Sequence, residues 1–147
     1  VPYPCNWEKS KLATPDPDVL FCYSAPTKGT VTAAIIVSFL HNEQLYTVDT
    51  YLKFIRKLPK VEFRNDLKTS TLTTDKIKAM NRDAVVIVES RENEKENKSV
   101  YQKNVLLFFG DKVLKITYLG GAQNLLWAKA TYNNNDFYFD SSIARLH

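Results

Sequence analysis

The sequence predicts an α+β domain, a central antiparallel β-sheet with two main helices packed on it. Three observations carry that expectation. Apolar residues alternate with period two in several runs, most clearly from Thr30 to Leu40, where Val31, Ala33, Ile35, Val37 and Phe39 fall on one face. Two other segments carry helical spacing. The two kinds do not alternate as regular βα units, which argues against a doubly wound parallel sheet. The 147 residues suit a single domain over 1–147, able to bury about two thirds of the surface its unfolded chain exposes. Eight Phe, eight Tyr and two Trp favour a sheet-rich core, because such side chains pack well on a pleated surface.

Residues 1–17 hold Pro2, Pro4, Pro15 and Pro17 and read as an extended, irregular entry. Trp7 is expected to fold back onto the core. Val19–Ser24 is a short strand closed by Ala25-Pro26, with a turn at Thr27-Lys28-Gly29. The Thr30–Leu40 strand is apolar on one face and only partly polar on the other, which places it inside a sheet covered on both sides. Val48, Tyr51, Leu52, Ile55 and Leu58 form a helical stripe. Thr47 serves as its N-cap, Asp49 suits the positive end of the dipole, Arg56 and Lys57 the negative end, and Pro59 stops it.

Beyond that helix, sparse apolar residues over Val61–Ala79 predict edge strands, and Ala84–Glu89 a buried one. Arg91–Lys98, dense in alternating charge, reads as the solvated tip of a long hairpin. Strands Val100–Phe109 and Lys112–Leu119 flank the turn Gly110-Asp111, with Leu114, Ile116 and Tyr118 on one face. Gly120-Gly121 is expected to reset the backbone. Ala122, Leu125, Leu126 and Ala130 predict a second helix with Trp127 at its margin, Asn133-Asn134-Asn135 a turn, and Asp136–Leu146 a closing strand with Phe137, Phe139, Ser141 and Ile143 on one side.

The formal net charge is +4, spread without a basic block, which a mixed solvated surface explains and which could also steer an acidic partner. No run approaches the roughly 18 apolar residues of a membrane span. The opening Val-Pro-Tyr-Pro in place of Met suggests either an artificially chosen start or a mature form with its leader removed, and a lipid anchor upstream is compatible with the second. Cys5 and Cys22 form no CxxC and, with only His41 and His147 besides, argue against a Cys/His zinc site. One reading joins them in a disulfide, worth about 3 kcal/mol by loop entropy and placing the chain in an oxidising compartment; the other leaves two buried thiols.

The chain carries, in order, Pro4-Cys5-Asn6-Trp7, Phe21-Cys22-Tyr23-Ser24-Ala25-Pro26 and Thr47-Val48-Asp49-Thr50-Tyr51-Leu52. Asn81-Arg82-Asp83-Ala84 before the central strand, the Trp127 helix and the terminal Ser142-Ile143 follow. With this order of elements, the set resembles the PsbP/Mog1-like superfamily. The resemblance implies a scaffold whose members include photosystem accessory proteins, a nuclear-transport GTPase-binding protein, bacterial envelope lipoproteins and chaperones of secreted toxins. They share a fold and differ in partner.

No GxSxG, HExxH or papain-like Cys motif is present, and four glycines cannot build a P-loop or a GxGxxG turn. His41 reads as a solvated loop histidine. Asp16 and Asp18 lack further oxygens for Ca²⁺, and Asp136 and Asp140, on a strand, would stand about 13 Å apart. No cofactor and no metal are expected. The leading expectation is a non-catalytic, exported protein-binding domain of the periplasm or cell envelope, monomer or homodimer, whose partner is another protein and not nucleic acid. An immunity or chaperone protein for a secreted toxin is one form of it. A small hydrolase with a deep cleft, and a small-molecule pocket between sheet and helix, are the readings from other classes. Candidate partner-binding residues are Tyr132, Tyr138 and Arg145, with Lys53, Arg56 and Lys57 as the best basic patch, and core packing is expected for Trp127.

Overall fold

The structure, a computed structural model, describes residues 8–9, 19–25 and 31–145. The strands and helices among them are β1 (Glu8–Lys9), β2 (Val19–Ser24), β3 (Thr32–His41), α1 (Val48–Lys57), β4 (Val61–Arg64), β5 (Leu67–Ala79), β6 (Arg82–Asn93), β7 (Lys98–Phe109), β8 (Lys112–Ala122), α2 (Leu125–Asn134) and α3 (Asp136–Ala144). All eight strands belong to one antiparallel sheet in the order β1-β2-β3-β8-β7-β6-β5-β4. The chain is α+β, as its periodicity predicts, with three helices on the sheet rather than two. Trp7, Cys5, Asp16, Asp18, the Thr27–Gly29 turn and His147 lie outside the described residues.

From β4 to β8 the chain is an uninterrupted meander. Three of its turns need only two residues, because Arg64 pairs with Leu67, Ala79 with Arg82 and Phe109 with Lys112. Gly110, at φ 63°, supplies the left-handed first position of the last of these. The return of β8 to β3 closes the sheet over ten paired residues, Thr32↔Gly121 to His41↔Lys112. Because β3 is interior and β4 lies at the edge, the intervening segment must cross the strands between them, and α1 makes that crossing. Thr47 caps the helix by accepting from the Thr50 amide, and Thr50 bonds back to the Thr47 amide.

The pleat sorts side chains into two cores. Ala33, Ile35 and Val37 of β3, Ala84 and Val86 of β6, Val105 and Leu107 of β7 and Ile116 and Tyr118 of β8 pack with Tyr132 of α2 and Phe139 of α3. The alternate residues Val85, Ile87, Leu106 and Val113 receive Leu52 of α1, flanked by Val48, Tyr51 and Ile55. The helices α2 and α3 thus cover one face and α1 the other.

Four expectations are corrected. Asp136–Leu146 does not close the chain as a strand: Asp136–Ala144 is α3, in which Phe139, Ser142 and Ile143 turn inward at i, i+3, i+4 spacing while Phe137 faces out. Asp136 and Asp140 therefore stand one helical turn apart, about 6 Å, and Asp140 lies 3.6 Å from Lys103. Gly120 and Gly121 do not break the chain but continue β8 to Ala122. Trp127 is 55% exposed rather than packed in the core.

Candidate functional site

A ten-residue helix is about 15 Å long, whereas the twelve residues of β6 or β7 run roughly 40 Å. One such helix cannot cover its face of the sheet. The uncovered part is a cleft of about 460 Å³ between the C-terminal half of α1, the Pro59 turn and the strands β4 to β8. Apolar groups from α1 and the sheet, among them Tyr51, Ile55, Leu58 and Leu106, form one part of its lining, and Arg64, Arg91, Glu62 and Lys115 add charge.

An irregularity in β5 decides which residues face this cleft. Thr73 pairs with Val88 but Thr71 with Glu89, so Leu72 is an extra residue between them. A one-residue bulge inverts the facing of everything beyond it. Thr69 and Thr71 thereby join Glu89 and Arg91 in the cleft, and through the β4 register they bring Glu62 and Arg64 with them.

The floor is polar and largely closed to water. Gln102 lies opposite Glu89, and Thr117 opposite Asn104. Gln102 Nε2 and Asn104 Nδ2 donate to Glu89 Oε1 at 2.5 and 3.2 Å, and the Thr117 hydroxyl donates to Asn104 Oδ1 at 2.7 Å. Arg91 stands 3.6 Å from the same carboxylate, whose side chain is 13% exposed. A ladder satisfied from within this way holds its rotamers and costs no unpaired polar group. At its α1 end, burial first and the Glu89 charge second raise the Tyr51 pKa, keeping it a neutral phenol that can donate or accept.

A second anchor fixes the start of α1. Buried Asn42 donates from Nδ2 to the carbonyls of Tyr46 (3.0 Å) and Gly110 (2.8 Å), and its Oδ1 accepts from the Tyr46 amide. The loop before α1 is thereby tied to the β7–β8 turn. Nothing in the sequence singles out this asparagine, since its partners are backbone groups 4 and 68 residues away.

No family model matches the chain, and no curated protein matches it. Among solved structures, it is similar to LpqN, involved in cell envelope biogenesis of Mycobacterium tuberculosis, at 16% sequence identity and a TM-score of 0.45. That match covers 90% of this chain and 76% of LpqN. A likeness at this level carries no argument about the role of the chain, and the PsbP/Mog1-like resemblance rests on the sequence pattern alone.

The six residues singled out as partner-binding candidates do not form one surface. Lys53, Arg56 and Lys57 are exposed on α1, on one face of the sheet. Tyr138 and Arg145 are exposed two turns apart on α3, on the other. Tyr132 is 5% exposed, enclosed by Tyr101 and Phe139 at ring-centroid distances of 5.0 Å, so its ring is core rather than contact surface. Arg56 reaches the sheet edge, donating to the Thr74 hydroxyl (3.2 Å) and carbonyl (3.0 Å). His41 lies at the end of β3, 3.3 Å from the Asp111 carbonyl, and is exposed. Cys22 is buried on β2; its proposed disulfide partner Cys5 lies outside the described residues. Among the described residues, no three His, Cys, Asp or Glu side chains converge as a metal site, and no helix is long and apolar enough to cross a membrane.

Sequence reasoning missed Glu89, Gln102, Asn104 and Thr117. Their signal was present as polar residues at positions where the same strand had just been buried on both faces, Ile87 to Glu89 and Leu106 to Asn104.

Proposed function

We propose that this chain is a non-catalytic, exported binding domain that receives part of a protein partner in the cleft beside α1. The observation that supports this reading is the floor itself. Its carboxylate and amides are already bonded to one another, which gives a fixed surface of donors and acceptors rather than a nucleophile awaiting a base. Exposed apolar residues Phe54 and Leu58 lie along the adjoining helix, a mixture of apolar anchor and polar rim typical of protein contacts. Export is carried over from the sequence expectation: a Cys5–Cys22 disulfide would place the chain in an oxidising compartment. A thiol titration of the denatured, unreduced chain that finds two free thiols removes that ground.

The volume of about 460 Å³ also falls within the range of small-molecule sites, which keeps a pocket for a small ligand as the second reading.

A photo-crosslinking residue placed at Thr69, with a control at Lys129 on α2, tests the proposal in the intact protein in its own cells. Polypeptide adducts at Thr69, absent at Lys129 and diminished by Leu58→Trp, are expected. Adducts confined to small molecules favour the second reading. Turnover of ester, peptide or glycoside probes that disappears in Glu89→Gln overturns the non-catalytic assignment.

A further inference from the structure

The outer edge of β5 between its bulge and its hairpin is unoccupied by any described strand, and its register fixes which backbone groups face out. Met80 and Asn81 form the two-residue β5–β6 turn, both left-handed at φ 54° and 57°. In such a turn the flanking residues, Ala79 and Arg82, exchange both hydrogen bonds. Bonded and non-bonded pairs then alternate down an antiparallel ladder. Ile77↔Ala84 and Asp75↔Val86 are bonded, so Lys78, Lys76 and Thr74 turn their N–H and C=O groups away from β6. The Arg56 bond to the Thr74 carbonyl confirms that direction.

The edge strand β4 does not reach these groups. It pairs Val61–Arg64 with Leu67–Ser70, and the Thr71 amide takes the Lys60 carbonyl. Over Thr74–Lys78, about 17 Å of strand, Lys76 and Lys78 therefore present outward backbone donors and acceptors, with the Thr74 carbonyl held by Arg56 at one end. Beside them lies a groove of about 310 Å³ between Ile55, Leu58 and Pro59 and the bulge at Leu72.

We propose that this edge is where the partner's chain binds, as an added β-strand carrying acidic residues at alternate positions. The proposal rests on the binding-domain reading and deepens it by naming the partner segment. Thr74, Lys76 and Lys78 share the α1 face, where Arg56, Lys57 and Lys60 also lie. A strand laid against this edge puts every second side chain beside that basic row. Asp49 at 3.5 Å from Lys76 and Asp83 at 2.6 Å from Lys78 occupy the lysines now. Both are solvent-exposed pairs, weakly held and screened by water, which an incoming carboxylate can displace. A second copy of this chain is disfavoured, because two-fold pairing centred on residue 76 or 77 sets Lys76 of one copy against Lys76 or Lys78 of the other. Edge lysines also guard sheets against indiscriminate pairing, and they do so while admitting a strand of opposite charge.

The test uses the intact protein and three synthetic ten-residue peptides of alternating Val/Thr and charge. One carries Glu, one carries Lys, and the third is the Glu peptide N-methylated at alternate amides on its pairing edge. Amide exchange is followed by NMR. The Glu peptide is expected to protect the Lys76 and Lys78 amides and to bind more weakly as salt rises. The Lys and N-methylated peptides are expected not to. Lys76→Glu with Lys78→Glu should weaken the Glu peptide by about tenfold and admit the Lys peptide. Absence of protection, or equal binding of the N-methylated peptide, overturns strand addition. Crosslinks at Thr69 that persist without edge protection would remove this inference and leave the cleft reading standing.

Discussion

Two tyrosines in the same core show how much depends on one hydrogen bond. Tyr118 is fully enclosed, and its hydroxyl shares a 2.9 Å bond with the Ser142 hydroxyl on α3. The Tyr132 hydroxyl, equally enclosed, has no partner among the described residues. An unsatisfied buried hydroxyl costs about 1–3 kcal/mol, whereas removing it in shape-conserving fashion is neutral or better. Tyr132→Phe is therefore expected to raise the free energy of unfolding by about 1 kcal/mol, read as an increased urea midpoint with unchanged slope. Ser142→Ala should do the reverse, lowering stability by about 1–3 kcal/mol as the Tyr118 hydroxyl loses its hydrogen-bond partner. If both variants shift the midpoint in the same direction, the assignment of satisfied and unsatisfied hydroxyls fails. Neither role could be read from the sequence. Tyr132, Tyr138 and Trp127 are one chemical type within a short stretch, and only the packing decides that the first is core and the others are surface.

The elements differ in how well their sequence specifies them. The α1 helix was legible throughout, because cap, dipole charges, apolar stripe and terminating proline agree, and it spans Val48–Lys57 with Thr47 as its cap. The α3 helix was not. Its Phe-Tyr-Phe favours a strand locally, and the helix follows from seating Phe139 and Ile143 against Tyr118 and the rest of that core. The bulge at Leu72 was equally hidden, since an extra residue in a strand of Thr and Lys leaves no mark on a sparse apolar pattern. The glycines of β8 carry a packing requirement of this kind. A Cβ on Gly120 would collide with the Tyr132 backbone nitrogen and lie 2.6 Å from the Ala128 carbonyl, so α2 rests directly on the strand there. Gly120→Ala should force α2 outward and lower stability by about 1–3 kcal/mol. Gly121→Ala, whose nearest atoms are 3.8 Å away, should be far milder. Thermal unfolding of the two variants side by side is the check, and equal losses would contradict this account.

For the molecule as a whole, the buried tyrosines set an alkaline limit. Burial pushes the Tyr118 pKa up to about 12, the Ser142 hydrogen bond offsetting part of that, and burial likewise raises Tyr132. A raised folded pKa means that the unfolded chain ionises first, at its ordinary value of 10.0. The contribution is thus fully present below pH 10 and is lost as pH climbs toward about 12, a decline on the order of 2 kcal/mol for Tyr118. Absorbance titration should show exposed tyrosines ionising near pH 10 and a delayed, cooperative step together with loss of the far-ultraviolet sheet signal. A single smooth titration of all tyrosines, with the fold intact, would contradict the burial of these rings.

The sequence by itself determined the α+β class, most strand positions, α1 with both of its ends, and the two-residue turn at Gly110, because each depends on the periodicity and turn chemistry of neighbouring residues. Tertiary structure alone decided the helical state of the C-terminal segment, the inversion of β5 that turns Thr69 and Thr71 into the cleft, the Glu89–Gln102–Asn104–Thr117 ladder and the exposed edge at Thr74–Lys78. Each of these joins residues distant along the chain, and their energies exist only once the strands carrying them lie side by side.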